Sequence, residues 1–459
     1  MKLVTVKSEG LAHNSYYLSD EGEAAVIDPR RDCKIYKRLA EKECGETRYI
    51  LETHRNEDYL VGSLELQSLT EAEIGHGKGL PFKYGEQRFD DGDTVNVGSL
   101  KIKVLSTPGH TNESVCYVVY TSENPKEVAF VFTGDALFVG SVGRTDLYGK
   151  EVQPKQAKKL FTSINEKLLP LGDHVVVYPA HGSGSVCGGN ISSMEFSTLG
   201  YEKKTNPYLQ LGEEAFVKRS MREVLVVPKY FKKMEELNLN GAPLLSELAF
   251  PRAMSLAEFE DHIKEPSMLV VDTRNPYAFA GSHIPCSLSL WLGGTSVYPG
   301  WVMPVEQYVV FVLERPSDIN RVAVRFRRLG FDNMCGYLCP GMSERQEAGK
   351  PLSSFGALSA QQLKEKLAKK EVTLLDVREP HEWQEGYVKG AERIFFGDLE
   401  EKADSLPKDK PFAVTCSVGN RSSIGASILE RKGFKDLYNP IVGNVGGLFA
   451  SFVDVALSY

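Results

Sequence analysis

An internal repeat occupies the second half of the chain and restricts the possible folds more than any other feature of the sequence. LVVDTRNPYAFAGSHIPCS at residues 269–287 aligns with TLLDVREPHEWQEGYVKGA at residues 373–391. Both copies continue into an apolar run, a loop and a helical pattern that ends in Gly-Phe. The register is set by three residues that recur at one constant offset, namely Asp272 with Asp376, Arg274 with Arg378, and Pro276 with Pro380. A repeat of this length predicts two complete domains and not the small units of a solenoid.

The length of the chain indicates further domains. At 459 residues it is too long for a single hydrophobic core. Linkers are predicted near 246–255 and near 348–358, and the second of them, GKPLSSFGALS, is rich in Gly, Ser and Pro. We therefore predict three domains, at residues 1–245, 253–350 and 356–459.

Charge and composition argue against several classes of function. The formal net charge is −7 and no long run of Lys or Arg offsets it, which argues against the coating of nucleic acid. No stretch approaches the roughly 20 apolar residues that span a bilayer, and the amino-terminal segment has no apolar signal core. The eight cysteines are scattered along the chain, as expected for reduced thiols. These features predict a cytoplasmic protein that binds neither nucleic acid nor membranes.

Short apolar runs separated by polar turns dominate the first half and predict strands. These runs are VTVKSEG, AAVIDP, YILETH, KIKVLSTPGH, VAFVFTGD and HVVVYPAHG. Helical patterns such as PKQAKKLFTSINEKLL lie between them, and segment 213–241 is also predicted to be helical. His54, His110, Asp135 and His181 all lie just after apolar runs. Because the ends of several strands can meet at one rim of a layered α/β fold, we expect these side chains to converge.

The segment THRNEDY, at residues 53–59, resembles the THxHxDH motif of the metallo-β-lactamase superfamily. His54 and Asp58 match that motif, whereas Asn56 and Tyr59 stand where two further histidines are usual. The other landmarks follow in order as TPGHT, TGDALF, GRTD and YPAHGSGSVCGGN. The resemblance covers about residues 1–245 and implies an α/β fold, the αββα sandwich of that superfamily.

The two missing histidines disfavour a dinuclear hydrolase, because neutral Asn is a poor ligand and Tyr binds only when deprotonated. His54, His110 and Asp135 remain, and two histidines with one carboxylate form the facial triad of non-haem Fe(II) oxygenases. The GRTD and PAHG motifs resemble those of persulfide dioxygenases. That resemblance implies one Fe(II) per chain and oxidation of a low-molecular-weight thiol persulfide by O2 to sulfite. Asp58 and His181 would then orient ligands or water, with Asn56 and Tyr59 outside the ligand set.

Other interpretations of the first domain stay open. The double loss also fits a domain that has no metal and serves as a platform for a sulfane-sulfur carrier. Zinc is the alternative metal, in a thioesterase of the glyoxalase II kind acting on glutathione or coenzyme A thioesters. Arg144 either binds a carboxylate of the thiol carrier or pairs with Asp146. Cys116 and Cys187 are interpreted as packing residues, and Cys335 and Cys339 lack a partner cluster for zinc.

A cysteine loop in FAVTCSVGNRSSIGASILERKGF, residues 412–434, carries a second chemistry. An apolar strand leads into Cys416, and CSVGNRS opens a helix whose amino-terminal N–H groups stabilise a thiolate and its persulfide. Arg421 adds positive charge. The pattern resembles the rhodanese loop C-x-x-G-x-R-S, and DVREPHEW and GYVKGA resemble flanking rhodanese landmarks. This resemblance implies α/β domains with parallel sheets, sulfur transfer with thiosulfate or sulfite, and a persulfide loop formed by Ser417, Val418, Gly419, Asn420 and Ser422.

The first repeat lacks this chemistry. Alignment of the two Gly-Phe pairs places Leu313 opposite Cys416, and Pro316 and Asp318 replace the glycine and the arginine of the loop. Leucine cannot carry a persulfide, so the domain at 253–350 is predicted to be inactive. The sequence leaves open the thiol carrier, which could be glutathione, coenzyme A or a similar thiol. It also leaves open the direction of sulfur flow and whether the protein is a homo-oligomer.

Overall fold

The computed structural model describes residues 1–223, 225–439 and, for the backbone alone, 455–456. Its chain divides into two compact units, Met1–Leu248 with Arg328–Gly330, and Ala249–Arg327 with Phe331–Tyr459. The predicted last domain, 356–459, therefore extends partly outside the described residues, and the three domain boundaries stay predictions. No helix in the described part of the chain combines the length and the apolar character needed to cross a membrane.

The first unit contains two six-stranded sheets. In the first sheet the strands follow chain order, antiparallel from β1 to β3 and parallel from β3 to β6. These strands are β1 (Lys2–Ser8), β2 (His13–Asp20), β3 (Glu23–Ile27), β4 (Glu46–Leu51), β5 (Glu73–Gly77) and β6 (Gln87–Phe89). Their alternating apolar residues supply one half of the core between the sheets.

The second sheet has the order β14-β13-β10-β9-β8-β7 and is antiparallel except for the pair of β10 and β13. Its strands are β7 (Thr94–Val97), β8 (Leu100–Ser106), β9 (Val115–Thr121), β10 (Asn124–Gly134), β13 (Val176–Pro179) and β14 (Ser197–Thr198). A short hairpin, β11 (Leu137–Phe138) and β12 (Ser141–Val142), follows β10. All the apolar runs named above as strands are strands in the structure.

Helices cover the outer faces of both sheets. A cluster around Tyr36 and Leu66 packs α1 (Lys34–Lys42) and α2 (Ser63–Thr70) on the first sheet. A cluster around Leu160 and Phe216 packs α3 (Gln153–Thr162) and α5 (Glu213–Arg222) on the second. The remaining helices of the unit are α4 (Leu199–Thr205) and α6 (Phe231–Asn240). The αββα prediction is confirmed.

Segment 213–241 forms two helices instead of one, and Pro228, which cannot donate a helical hydrogen bond, lies between them.

The second unit contains two parallel sheets, one for each repeat. The first has the order β15-β19-β18-β16-β17 and the second β22-β20-β23-β24. The strands of the first are β15 (Arg252–Met254), β16 (Met268–Asp272), β17 (Leu288–Ser289), β18 (Tyr308–Val312) and β19 (Met334–Leu338). Those of the second are β20 (Thr373–Asp376), β22 (Glu392–Arg393), β23 (Phe412–Thr415) and β24 (Leu437–Tyr438), and β21 (Tyr387–Val388) pairs with β25 (Val455–Ala456).

Helices connect these strands, as parallel pairing requires. They are α7 (Leu256–His262), α8 (Pro276–Gly281), α9 (Pro299–Val302), α10 (Ile319–Arg328), α11 (Met342–Glu347), α12 (Ala360–Ala368), α13 (Pro380–Glu385), α14 (Leu399–Lys402) and α15 (Asn420–Arg431). Buried polar contacts join α15 to the first repeat, including one of 2.8 Å between Ser289 Oγ and Ser423 Oγ. Trp301 of the first repeat lies edge-on to Phe395 of the second. The two repeats thus share buried contacts within one unit.

Candidate metal centre and cysteine loop

The predicted ligands of the first unit lie in turns that follow strands. His54 comes three residues after β4, Asp135 comes directly after β10, and His110 lies in the loop between β8 and β9. Asp28, just after β3, accepts hydrogen bonds from the Thr53 backbone N–H at 2.8 Å and from Thr53 Oγ1 at 2.7 Å. When Asp28 is ionised, the Thr53 hydroxyl donates its proton to that carboxylate and accepts a hydrogen bond from His54 Nδ1 at 2.9 Å. That arrangement leaves His54 Nε2 without a proton and free to bind a metal.

His110 is held in the same tautomer by a different partner. Its Nδ1 lies 2.8 Å from the backbone carbonyl oxygen of Arg144, which can only accept a hydrogen bond. Nδ1 therefore carries a proton, and Nε2 faces the site, where it offers a lone pair whenever the imidazole is neutral. The turn that contains Arg144 thus orients His110 by means of its backbone.

The three predicted ligands converge on one point. His54 Nε2 lies 3.7 Å and His110 Nε2 lies 3.6 Å from Asp135 Oδ2, and all three side chains are buried. Within the part of the chain that the structure describes, neither Nε2 atom has a hydrogen-bond partner. Buried polar atoms without partners are costly, and two imidazole lone pairs beside a carboxylate match the donors that Fe(II) and Zn²⁺ take. The residues therefore fit a bound divalent metal ion.

Glu57, which the sequence analysis did not single out, reaches the same point. Its Oε1 lies 3.3 Å from His110 Nε2. Glu57 forms a potential metal cluster together with His54 and His110. Cys187, interpreted from the sequence as a packing residue, donates its thiol to Glu57 Oε1 at 3.3 Å. The only signal for Glu57 in the sequence was an acidic residue inside the motif THRNEDY, and its side-chain direction could not be read from the motif.

The residues predicted to lie around the ligands have separate positions. His181 Nδ1 lies 2.8 Å from Asp135 Oδ1, and His181 Nε2 lies 3.0 Å from Asp58 Oδ2, so His181 bridges the two carboxylates. Asn56 donates to the His54 carbonyl at 3.3 Å, and the Tyr59 ring stacks on His13 with centroids 3.9 Å apart. Asn56 Oδ1 and Tyr59 Oη are buried and have no hydrogen-bond partner among the described residues, and their place outside the ligand set stays a prediction.

Burial and carboxylates set the protonation of the site. Burial lowers the pKa of His54 to about 4, so this imidazole is neutral. Burial opposes the protonation of His110, but Glu57 and Asp135 raise its pKa to about 9. Burial likewise opposes a charge on His181, which Asp135 and Asp58 outweigh, so that its pKa is well above the usual value. The carboxylates therefore draw positive charge into the pocket, either as protons or as a metal ion.

Arg144, predicted either to bind substrate or to pair with Asp146, forms a two-point ion pair. Its Nε and Nη2 donate to Asp146 Oδ1 and Oδ2 at 2.7 and 2.9 Å. The Arg144 side chain is also buried. This geometry favours the pairing role, and binding of a thiol-carrier carboxylate by Arg144 stays a prediction.

The cysteine loop of the second unit surrounds Cys416 with donors. Cys416 follows β23, and its sulfur accepts from the backbone N–H groups of Gly419 at 3.1 Å and Ser422 at 3.3 Å. The turn depends on Gly419, whose φ of 91° lies in the left-handed region that favours glycine. Asn420 begins α15, Val418 is 63% exposed, and the Ser422 hydroxyl lies 3.6 Å from the sulfur. The loop is therefore open at Val418 and lined by N–H donors at the sulfur.

Arg421 is paired and does not face the thiol as a free charge. Its guanidinium binds both carboxylate oxygens of Glu382, and its Nη2 donates to Ser417 Oγ at 2.9 Å. Burial opposes ionisation of Glu382, but hydrogen bonds led by that of Arg421 lower its pKa to about 2. The sequence pattern does not indicate Glu382 as the partner of Arg421, although the residue lies in the segment DVREPHEW.

Leu313 occupies the equivalent place in the first repeat. It follows β18 as Cys416 follows β23, and these strands pair with β16 and β20 in matching register. Cys286, Cys335 and Cys339 are free thiols that belong to no potential metal cluster within the described residues. That the first repeat is catalytically inactive remains a prediction that this placement supports.

Comparisons with known proteins agree with this architecture. The profile of the metallo-beta-lactamase superfamily matches residues 9–181, and that of the rhodanese-like domain matches 255–348 and 359–444. The chain is 30% identical over 222 residues to the mitochondrial persulfide dioxygenase ETHE1 of Bos taurus, covering 47% of this chain and 78% of that protein. The Homo sapiens protein of that name is 31% identical over 211 residues, covering 44% and 74%.

A solved structure shows the same likeness. The crystal structure of a metallo-beta-lactamase from Staphylococcus aureus subsp. aureus COL matches with a TM-score of 0.66 at 27% identity, covering 74% of this chain and 98% of that one. These matches confirm the family resemblance and the fusion of domains predicted from the motifs. The chain belongs to the metallo-beta-lactamase superfamily, has persulfide dioxygenases among its homologues, and joins that domain to two rhodanese-like domains in one polypeptide.

Proposed function

We propose that this protein is a persulfide dioxygenase fused to a sulfurtransferase. The observation that carries the proposal is the convergence of His54 Nε2, His110 Nε2 and Asp135 Oδ2 in a buried pocket where neither nitrogen has a hydrogen-bond partner among the described residues. The homology to persulfide dioxygenases and the two rhodanese-like domains support a role in sulfur metabolism. The substrate is a low-molecular-weight thiol persulfide, such as that of glutathione or coenzyme A.

In the first unit, His54, His110 and Asp135 would hold one Fe(II). Bound there, iron supplies open positions at which O2 and a persulfide sulfur can react. The balanced reaction converts RSSH, O2 and H2O to RSH, sulfite and two protons, with O2 reduced and the terminal sulfur oxidised. The chain itself orients the ligands: Thr53 and the Arg144 carbonyl set the two imidazole tautomers, and His181 holds Asp135.

In the second unit, Cys416 would carry sulfane sulfur. Its thiolate attacks the outer sulfur of thiosulfate, the S–S bond of thiosulfate breaks, and sulfite leaves while a cysteine persulfide forms. The N–H groups of Gly419 and Ser422 point at the reacting sulfur and stabilise the anion. Sulfite is the product of the first reaction and the leaving group of the second. One polypeptide therefore handles two steps of the same sulfur chemistry.

Metal analysis and an oxygen assay test the proposal together. Protein loaded anaerobically with Fe(II) should bind one iron per chain, consume O2 and release sulfite when given glutathione persulfide or coenzyme A persulfide. A chain that binds no metal would favour the sulfane-sulfur carrier. Activity with zinc alone, on glutathione or coenzyme A thioesters, would favour the thioesterase. Either of these results would overturn the proposed dioxygenase.

A further inference from the structure

The histidine usual at position 56 is absent, yet the pocket contains a buried carboxylate that no part of the proposed mechanism uses. Glu57 is completely buried, and its Oε2 has no hydrogen-bond partner among the described residues. Its neighbour Asn56 turns its amide toward the His54 carbonyl. Glu57 thus brings a carboxylate oxygen from this turn to the point where His54 and His110 meet.

One pair of donor atoms around that point has the spacing expected within a coordination sphere, and the other pairs are wider. Two donors that are each about 2.1 Å from an ion lie roughly 3.0–3.4 Å apart in octahedral or tetrahedral geometry. Glu57 Oε1 lies 3.3 Å from His110 Nε2, and Asp135 Oδ2 lies 3.6 Å from the same nitrogen. Ligand atoms of Glu57 also lie within 4.8 Å of those of His54 and Asp135.

The 3.3 Å approach between Glu57 and His110 does not have the geometry of a hydrogen bond, since His110 Nε2 remains without a partner. Nδ1 of His110 already donates its proton to the Arg144 carbonyl, and Nε2 faces the Glu57 carboxylate oxygen. A positive charge between these two atoms, either a proton on Nε2 or a metal ion, stabilises the contact, and the absence of hydrogen-bond geometry favours the metal ion. The Cys187 thiol, which donates to Glu57 Oε1, holds the carboxylate in that orientation.

Charge balance leads to the same assignment. His181 lies between Asp58 and Asp135 and offsets the charge of one carboxylate, and Arg144 pairs with Asp146. With both imidazoles bound to the ion through Nε2, the carboxylates of Glu57 and Asp135 would balance its two positive charges. A buried site with only Asp135 as an anionic ligand would hold a net charge, which is costly in a dry pocket.

We infer that Glu57 is the fourth protein ligand of the metal ion, replacing the histidine that Asn56 does not supply. The inference rests on the proposed metal centre and deepens it. The resulting site would have two imidazoles and two carboxylates, and iron held there would keep open positions for O2 and the persulfide sulfur. It also explains why a chain that has lost two usual ligands retains a buried cluster of unpartnered donors.

Metal affinity and crystallography test the inference without any assay of activity. Fe(II) titration under nitrogen, with a competing chelator, should show that Glu57→Gln weakens binding by more than the roughly 10–100-fold typical of losing a residue that only orients a ligand. Anomalous diffraction from metal-loaded wild-type crystals should place a Glu57 oxygen about 2.0–2.2 Å from the ion.

Glu113→Gln is the matched control. Glu113 is also buried, accepts one hydrogen bond from the Arg55 N–H and has an unpartnered Oε2, but it belongs to no potential metal cluster of the described residues. This variant should bind Fe(II) like the wild type. If Glu57→Gln also binds like the wild type, or if the ion lies more than about 3 Å from Glu57, the ligand assignment is wrong while the metal centre stands. If wild-type protein binds no metal, the proposed function fails first.

Discussion

The residue that follows the corresponding strand differs between the two rhodanese-like sheets. It is Leu313 after β18 in the first repeat and Cys416 after β23 in the second. Leu313 and Cys416 are both buried, and each follows a strand paired in the same register with its neighbour. The surrounding loops differ as well, because the first repeat has Pro316 and Asp318 where the second has Gly419 and Arg421. Sulfur transfer in the second unit is therefore expected to depend on a single side chain.

Replacing that side chain separates chemistry from packing. Cys416→Ser should abolish transfer of sulfur from thiosulfate to cyanide, because a serine hydroxyl stays protonated near neutral pH. Leu313→Ala should leave the rate nearly unchanged and lower the free energy of unfolding by about 2–5 kcal/mol. Mass spectrometry after incubation with thiosulfate should find the added sulfur on Cys416. Sulfur found on Cys286, Cys335 or Cys339 instead would contradict the assignment.

The ion pair of Arg421 and Glu382 makes the stability of the loop depend on acid. Because the pKa of Glu382 is lowered to about 2 in the folded state, its contribution is complete above the unfolded value near 4.5 and is lost as the pH falls toward 2. Relative to Glu382→Gln, the wild type should lose about 1–2 kcal/mol of stability between pH 6 and pH 2.5, allowing for partial solvent screening.

Urea unfolding at both pH values measures that difference. Glu385→Gln is the control, because Glu385 lies on the same helix, α13, and is exposed. This control should not change the pH dependence. An equal effect of both substitutions would mean that the Arg421 pair is not the source of the acid sensitivity.

Among the elements, the turn after the β11–β12 hairpin closes the metal pocket. Gly143 follows β12, and a Cβ atom there would lie 1.9 Å from the carbonyl oxygen of Asp135 and 3.2 Å from His110 Nδ1. Its neighbour Arg144 provides the carbonyl that orients His110. The close approach of this turn to two predicted ligands therefore requires glycine at position 143.

Gly143→Ala should weaken Fe(II) binding, because the methyl group displaces the Asp135 backbone or the His110 ring. Gly182→Ala is a control beside His181, where the nearest atom to an added Cβ would be 3.8 Å away. Chelator competition on both variants, with circular dichroism to confirm folding, measures the effect. Equal affinity of the two variants would show that the turn does not set the ligand geometry.

At the scale of the whole molecule, the two chemistries belong to separate compact units. The metal cluster lies among residues of the first unit, and Cys416 lies in the second. Each unit has its own buried apolar clusters. A change confined to one site should therefore leave the fold of the other unit intact.

His110→Ala tests this separation. The variant should lose O2 consumption with glutathione persulfide, since one of three predicted ligands is gone. Its transfer of sulfur from thiosulfate to cyanide should remain close to that of the wild type. Parallel loss of both activities in a well-folded variant would argue that the sites depend on each other.

Local patterns in the sequence were enough for the architecture and for part of the site. Strand periodicity and the ordered motifs indicated the αββα sandwich, and the internal repeat indicated the two rhodanese-like domains, which the family profiles match. The alignment of the repeats placed Leu313 opposite Cys416, as the register of the strands also does. These features depend on residue type and spacing along the chain, which the sequence contains directly.

The partners of the functional groups were decided by the tertiary structure alone. Glu57 meets His110, Cys187 meets Glu57, and Arg421 meets Glu382 across 39 to 130 residues of chain. Whether the Glu57 carboxylate faces the pocket or solvent depends on the path of one turn, and no periodicity predicts that path. Residue types thus determined which chemistry the chain can perform, whereas packing decided which charges meet, because burial makes an unpaired charge costly.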